Sequence, residues 1–244
     1  MSSPIRAAPV QIRRWHAFQS TAEMEGAAAE AILRVAEASI ARRRVFEIVL
    51  AGGETPRRVY QRLRAADTDW SAWHVYFGDE RCLPVTDPDR NSMMAGRTWL
   101  DHVAIPRSQI FPIPAERGAE AASAAYAAIV SGIGLFDLVL LGLGDDGHTA
   151  SLFPAPARRV YSADAATVAV FDAPKPPPQR VSLSAARLSA ARHVIYLISG
   201  AAKQQAVNDW QHGAAIPAAE ITPADGVDIY IDFKPSEPVE RGGS

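Results

Sequence analysis

The chain alternates short, almost continuous apolar runs with longer amphipathic or alanine-rich runs. The apolar runs predict strands at residues 45–50, 73–77, 136–141, 194–198 and 227–233. The longer runs predict helices over residues 20–44, 119–130 and 201–210. Strands that are apolar throughout and alternate with helices are typical of a parallel sheet covered on both faces. The pattern therefore predicts an α/β fold: a Rossmann-like, doubly wound, mostly parallel sheet with helices on both faces.

The first predicted helix carries recognisable signals at both ends. Ser20 and Glu23 have the spacing of a capping box, in which two side chains satisfy free N–H groups at the helix start. Arg42, Arg43 and Arg44 lie at the other end, where positive charge favours the helix dipole. A solvated helix end explains these arginines more simply than phosphate binding does.

The length and composition indicate one globular domain. The chain has 244 residues, of which 48% are hydrophobic and 21% charged, so it can bury a substantial core. Two proline-rich stretches, at residues 153–156 and 174–178, are interpreted as rigid loops because strand and helix patterns continue beyond both. We expect a single domain over residues 1–234 and a flexible tail over residues 235–244.

The charge balance and the single cysteine narrow the class of protein. A net charge of −2 gives no overall field to attract nucleic acid or an acidic membrane, so an anionic ligand needs a local site. No apolar run approaches the roughly 20 residues of a membrane span, and the polar N-terminus does not resemble a signal peptide. Cys82 has no partner for an intrachain disulfide. We predict a cytoplasmic protein that binds neither nucleic acid nor membranes.

Distinctive polar motifs follow the predicted strands, where ligands bind in open α/β sheets. The first contains Gly52 and Gly53, followed by Thr55 and Pro56. The glycines permit close approach of a ligand, and we expect Thr55 to be the N-cap with Pro56 at the first helical position. A glycine turn that leads into a helix suits phosphate, although an ordinary strand-to-helix turn has the same appearance.

The second motif places Asp79, Glu80 and Arg81 after the strand at residues 73–77. An arginine there can bind phosphate through two hydrogen bonds, while the carboxylates bind sugar hydroxyls or position the arginine. A surface charge cluster is an equally good interpretation of these residues in isolation. Cys82 beside them is interpreted as a packed small residue rather than a nucleophile.

The third motif, Asp145-Asp146-Gly147-His148, follows the clearest predicted strand. Neutral imidazole is the side chain suited to deprotonating water near neutral pH, so His148 is the candidate general base. Asp146 is the candidate partner that orients the ring and stabilises the imidazolium. The spacing Gly142-x-Gly144-x-x-Gly147 also matches a dinucleotide-binding fingerprint. We reject it because two aspartates would repel a pyrophosphate and nearby prolines leave little room for the required helix.

Two further cations, Arg180 and Lys203, lie near an expected sheet edge or strand-to-helix turn, although each taken singly is more simply solvated. The chain has no H-E-x-x-H motif, no metal-type cluster of Cys and His, and no G-x-S-x-G nucleophile elbow. A hydrolase without a metal or a covalent nucleophile must activate water with a side-chain base. His148 fits that role.

Taken together, the motifs resemble the 6-phosphogluconolactonase family, which is related in fold to glucosamine-6-phosphate deaminases. The most specific segment is residues 141–154, from Leu-Gly-Leu-Gly-Asp-Asp-Gly-His to Thr-Ala-Ser-Leu-Phe-Pro. Residues 77–84, with Asp87, Asp89 and Asn91, support the resemblance, as do residues 178–183. It extends over most of the chain, from the first helix to the helix after Lys203.

The resemblance implies hydrolysis of 6-phospho-D-glucono-1,5-lactone to 6-phosphogluconate, the second step of the oxidative pentose phosphate pathway, without metal or cofactor. On this model His148 activates the attacking water and Asp146 assists it. The residues expected to hold the phosphorylated sugar lactone are Gly52, Gly53, Thr55, Asp79, Arg81, Arg180 and Lys203.

Two alternatives stay open beside the lactonase. The related deaminases place a catalytic glutamate five residues after the histidine, where this chain has Phe153, and an apolar side chain cannot relay protons. A non-catalytic sugar-phosphate-binding regulator would not need a base beside a carboxylate. The chain also departs from the family at Glu54, which we expect to point outward from the phosphate loop, and at Arg90, which makes the role of Asn91 less certain.

Overall fold

The computed structural model describes residues 11–162 and 164–234, so the predicted tail at residues 235–244 lies outside the described residues. The strands are β1 Arg13–Ala17, β2 Phe46–Leu50, β3 Trp73–Phe77, β4 Asp79–Arg81, β5 Ile110–Phe111, β6 Phe136–Leu141, β7 Arg158–Tyr161, β8 Thr167–Phe171, β9 Arg180–Leu183, β10 Ala191–Ile198 and β11 Val227–Ile231. The α-helices are α1 Thr21–Arg43, α2 Glu54–Leu63, α3 Asn91–Thr98, α4 Ala119–Val130, α5 Ala185–Ser189 and α6 Gln204–Gln211.

Seven of these strands form a central sheet in the order β1-β11-β10-β6-β2-β3-β5. Every neighbouring pair in it is parallel. All six residues of β6 are buried, as expected for a strand covered on both faces. The sheet is flanked by helices, which confirms the predicted α/β class.

A second sheet, with the antiparallel order β4-β9-β8-β7, was not predicted. Its outer strand β7 is mostly exposed, and β4 is the charged tripeptide of the second motif, which the sequence analysis did not assign to a strand. Neither segment has the apolar run of a buried parallel strand, so the pattern that identified β2, β3, β6, β10 and β11 could not find them. The same pattern also missed β1 and β5, the edge strands of the central sheet. The proline-rich residues 174–178 form the loop between β8 and β9.

The two sheets are joined at Gly78, the single residue between β3 and β4. Its N–H donates to the Leu50 carbonyl of the central sheet at 2.9 Å, and its carbonyl accepts from the Leu183 N–H of the second sheet at 2.8 Å. A Cβ at this position would lie 3.4 Å from the Leu50 oxygen, at the short end of ordinary van der Waals contact. One backbone unit therefore bonds to both sheets.

Helix α1 begins as the sequence predicts, with one difference in its cap. The Ser20 hydroxyl accepts from the Glu23 N–H at 3.2 Å, but the Glu23 carboxylate accepts from the Gln19 N–H at 2.9 Å rather than from Ser20. The Ser20 and Glu23 side chains thus each accept a hydrogen bond from a backbone N–H that has no partner within the helix. Within the described residues, no helix is both long enough and apolar enough to span a bilayer.

Candidate active site

A cavity of about 390 Å³ lies at the carboxyl ends of β10, β6, β2 and β3, four neighbouring strands of the central sheet. Because the strands are parallel, the segments that follow them meet at one edge. Among the predicted residues, the lining contains Gly52, Gly53, Asp79, Arg81, His148, Arg180 and Lys203. The lining also contains Asn91 and Lys175, which the sequence analysis left uncertain or missed. Thr55 is not part of it, and Asp146 reaches the cavity only through His148.

His148 is held at the cavity wall by the loop after β6. Its Nδ1 hydrogen bonds to Asp146 Oδ1, and the same oxygen accepts from the His148 backbone N–H at 3.2 Å. Gly144 makes room for the ring, since a Cβ there would lie 1.9 Å from His148 Nδ1. With Nδ1 directed at Asp146, Nε2 on the other side of the ring is the nitrogen left to face a water or substrate.

Burial is the main influence on the His148 imidazole. Only 16% of the side chain is exposed, and this burial lowers its pKa, against the opposing effect of the Asp146 hydrogen bond and charge. Burial alone would raise the pKa of Asp146, but the hydrogen bond and charge of His148 outweigh it and lower that pKa. Near neutral pH the pair is therefore a neutral imidazole beside an ionised carboxylate, the state needed for a general base.

Phe153, the residue that separates this chain from the deaminase pattern, packs directly on the histidine. The two ring centroids are 4.5 Å apart, and Phe153 is 1% exposed. The Arg180 guanidinium lies over the same phenyl ring, 5.3 Å from its centroid. The Phe153 ring therefore offers an apolar surface to both the His148 imidazole and the Arg180 guanidinium.

The segment after β6 does not continue as a nucleotide-binding helix. Residues 145–154 form turns and the short bridge between Thr149 and Leu152. A dinucleotide fingerprint needs a helix whose N-terminus faces the pyrophosphate. The rejection of that fingerprint is thus supported by the local fold.

The loop after β2 differs from the prediction in its helix cap. Helix α2 begins at Glu54 with Gly53 as the N-cap, so Thr55 and Pro56 are the second and third helical residues and the Thr55 N-cap prediction is wrong. Gly53 takes the cap because its φ of 104° lies where glycine is favoured. Glu54 points outward, as expected, and pairs with Arg57 and Arg58.

Asp79 and Asn91 form a buried polar pair beneath the glycine loop. The Asn91 amide donates to Asp79 Oδ1 and to the Asp79 carbonyl, each at 3.0 Å, while Ser151 donates to Asp79 Oδ2 at 2.5 Å. A Cβ on Gly52 would lie 2.0 Å from Asn91 Oδ1, so glycine is required for this close approach. Asp79 is 8% exposed, and these bonds fix its position at the cavity wall.

Glu80 supports the site from behind, a role the sequence analysis did not assign. Its fully buried carboxylate accepts from the backbone N–H groups of Asn91 and Ser92, the first residues of α3, at 2.7 and 2.9 Å. Arg90, the residue that departs from the family pattern, lies 3.5 Å from the same carboxylate. Asn91 thus keeps its place despite the unusual neighbour, because Glu80 caps the helix that carries it.

Among the residues that the structure describes, four cations line the cavity. Arg81 donates to the Asp89 carbonyl at 2.8 Å, and Arg180 donates to the carbonyls of Lys175 and Pro176 at 2.9 and 3.2 Å. Burial lowers the pKa of Arg180, which nevertheless stays charged because the ordinary value is so high. Lys175 and Lys203 complete the set. Lys175 lies in a proline-rich loop, where no strand-end pattern pointed to it.

Other candidate chemistries find little support in the geometry. Within residues 11–162 and 164–234, His, Cys, Asp and Glu side chains form no group of three that could hold a metal ion. Burial raises the pKa of the Cys82 thiol to about 11, and the side chain packs against the core. This fits the interpretation of Cys82 as a packing residue, since the thiolate is the reactive form.

Comparison with known proteins places the chain in a family. A family model described as glucosamine-6-phosphate isomerases/6-phosphogluconolactonase matches residues 19–230, most of the sequence. The chain belongs to this family. Among its members, the 6-phosphogluconolactonase of Mycobacterium leprae (strain TN) is 35% identical over 226 residues, covering 87% of this chain and 90% of the relative. The 6-phosphogluconolactonase of Synechocystis sp. is 38% identical over 180 residues, covering 70% and 73%.

Solved structures of the family have the same fold. A 6-phosphogluconolactonase from Trypanosoma brucei superposes with a TM-score of 0.80 at 29% identity, covering 91% of this chain and 97% of that one. The enzyme of the same name from Thermotoga maritima gives 0.83 at 23% identity, covering 91% and 100%. A monomeric glucosamine-6-phosphate deaminase gives 0.73 at 21% identity, covering 90% and 97%. The last two likenesses concern the fold alone.

Proposed function

We propose that this protein hydrolyses 6-phospho-D-glucono-1,5-lactone to 6-phosphogluconate, with His148 as the general base. The observation that carries the proposal is the His148–Asp146 pair, whose free imidazole edge lies on a cavity rimmed by arginine and lysine. The relatives named 6-phosphogluconolactonase, at 35% and 38% identity, support the same activity.

In the first step, His148 Nε2 accepts a proton from a water molecule as its oxygen attacks the lactone carbonyl carbon. The carbonyl oxygen takes up the negative charge of the tetrahedral intermediate. Asp146 holds the ring in the tautomer with hydrogen on Nδ1 and stabilises the imidazolium that forms. In the second step the bond from that carbon to the ring oxygen breaks, and His148 returns its proton to the departing oxygen. The product is an open-chain carboxylic acid, and the histidine is again neutral.

The cations of the cavity are assigned to the two negative groups of the reaction. Arg81 and Arg180 come from β4 and β9, which pair with each other, so both face the cavity from the second sheet. Lys175 and Lys203 lie on its rim. We assign this set to the phosphate and the developing oxyanion, because charged donors in a partly enclosed site stabilise both. The backbone of Gly52 and Gly53 is assigned to the sugar phosphate as well. Each step is given to a side chain, so the proposal uses no metal or cofactor.

Phe153 favours lactone hydrolysis over amine loss from an amino sugar phosphate. Ring opening and deamination require an additional proton relay near the base, and the phenyl ring at this position has no proton to exchange. It also excludes water from one face of His148, which keeps the imidazole neutral. The cytoplasmic location and the absence of nucleic-acid partners stay predictions from composition and charge.

The decisive experiment compares acid release from freshly prepared lactone by the wild type, His148→Gln and His102→Ala, corrected for spontaneous hydrolysis. Loss of a general base is expected to lower kcat by about 10²- to 10⁴-fold. His102 is exposed and lies on a short helix away from the cavity, so its variant controls for loss of a histidine. Equal rates for wild type and His148→Gln would contradict the assigned base. No acceleration by the wild type would contradict the lactonase, and ammonia release from glucosamine 6-phosphate would favour the deaminase.

A further inference from the structure

Asp145 forms an ion cluster with Lys175 and Lys203, two lysines of the cavity lining. Lys203 Nζ lies 2.5 Å from Asp145 Oδ1, and Lys175 Nζ lies 3.5 Å from Asp145 Oδ2. The three residues come from separate segments: the loop after β6, the loop between β8 and β9, and the turn before α6. Both lysines line the cavity, whereas Asp145 does not.

From this arrangement we infer that Asp145 occupies the phosphate-binding lysines until the substrate phosphate displaces it. The inference rests on the proposed function for the identity of the phosphorylated ligand. The inference assigns to Asp145 a role in selectivity. Its carboxylate competes for the two lysines, and a phosphate dianion can replace it there whereas an uncharged sugar cannot.

The charges and exposures favour such an exchange. Asp145 is 54% exposed and Lys175 is 53% exposed, and an ion pair so exposed contributes little in water. A carboxylate brings one negative charge, while a phosphate ester brings about −1.5 to −2 near neutral pH and three acceptor oxygens. The phosphate is therefore the stronger partner for two ammonium groups at once.

Of the carboxylates near the cavity, Asp145 is also the one that a phosphate can displace most easily. Asp79, the other carboxylate at the cavity, is fixed by Asn91 and Ser151, and Asp146 is engaged with His148. The hydrogen bond and charge of Lys203, followed by the charge of Lys175, hold the pKa of Asp145 below its usual value. Asp145 is accordingly ionised at neutral pH and competes throughout the physiological range.

The test measures binding of inorganic phosphate by ³¹P NMR titration and of 6-phosphogluconate by calorimetry. Removing a competitor should tighten binding, so Asp145→Asn is expected to lower both dissociation constants by roughly two- to tenfold. Asp225→Asn removes one exposed carboxylate far from the cavity and is the matched control for net charge. Weaker or unchanged phosphate binding in Asp145→Asn would overturn the inference, because a residue that merely positions the lysines would give that result.

A double-mutant cycle separates competition from a general charge effect. Lys203→Gln should weaken phosphate binding by a larger factor in the Asp145→Asn background than in the wild type, since the lysine is then free of its internal partner. Equal factors in the two backgrounds would also overturn the inference. Because inorganic phosphate is the probe, the exchange can succeed while the wild type fails to hydrolyse the lactone, and that outcome would contradict the proposed function alone.

Discussion

Asp145 and Asp146 are neighbouring carboxylates in one loop, yet they face different groups. Asp146 turns inward to Nδ1 of His148, and its side chain is 38% exposed. Asp145 turns toward Lys203 and Lys175 at the rim and is 54% exposed. Two identical side chains at consecutive positions are thus divided between the candidate base and two lysines of the cavity lining.

The difference shows that backbone direction, rather than residue type, decides what each carboxylate does. Gly147, with a φ of 78°, turns the chain back so that His148 can reach Asp146. A Cβ on Gly147 would also lie 2.7 Å from Ile216. The glycines of this loop therefore divide the two aspartates between base and rim, and changes in them should affect the two sides unequally.

The largest expected effect comes from Gly144→Ala, which disturbs the base side of the loop alone. The new Cβ would lie 1.9 Å from His148 Nδ1, so the ring must leave Asp146. We expect kcat for lactone hydrolysis to fall by about 10²- to 10⁴-fold, as for loss of the base itself. Gly134→Ala is the matched control, because a Cβ there has no atom within 4 Å. Full activity in Gly144→Ala would contradict the site geometry.

Asp146→Asn should have the next largest effect and sharpens the contrast with Asp145. The amide cannot stabilise an imidazolium, so we expect kcat to fall by about 10²-fold or more. The chain should fold normally, since the side chain is partly exposed. Steady-state kinetics of Asp146→Asn and Asp145→Asn side by side give the measurement. A larger loss of kcat in Asp145→Asn would reverse the two assigned roles.

The pH dependence of kcat/KM reports the protonation of the His148–Asp146 pair in the free enzyme. Burial lowers the pKa of His148 below its ordinary value of 6.5, so the neutral base should persist, and kcat/KM should stay high, as the pH falls through 6.5. The rate should drop only at lower pH, when the imidazole becomes protonated. Asp146→Asn removes an influence that raises this pKa, so its acid limb should move to still lower pH. An acid limb at or above pH 6.5 in the wild type would contradict the burial argument.

The smallest effect is expected for Glu54→Gln, which removes the charge of a third carboxylate near the site. Glu54 is 55% exposed and pairs with Arg57 and Arg58 on its own helix. We expect an unchanged KM and a change of less than about 1 kcal/mol in the free energy of unfolding, because exposed ion pairs contribute little. Urea denaturation and lactone kinetics test both statements, and a several-fold shift in KM would place Glu54 in the ligand site.

Five strands of the central sheet and the candidate histidine were predictable because their signals are local. The two edge strands of that sheet, β1 and β5, were not predicted. The run at residues 136–141 is buried along its whole length, and its predicted bounds are those of β6. In the second sheet, β4 is polar and β7 is exposed, so neither has a hydrophobic period. The buried apolar run of β8 does carry a strand signal, but it was not assigned, and the second sheet was therefore missed. The Thr55 cap was wrong since Gly53 reaches a backbone conformation that threonine avoids. Asn91 and Lys175 enter the site through long-range contacts that no nearby residues encode.

Gly78 has a consequence for how the site responds to a ligand. By bonding to Leu50 on one side and Leu183 on the other, it ties the sheet that carries His148 to the sheet that carries Arg81 and Arg180. Neither half can slide without breaking a main-chain hydrogen bond. A ligand held by both halves therefore stabilises the entire native chain, by an amount that grows with the logarithm of its concentration. Binding of such a ligand should therefore raise the melting temperature of the whole protein.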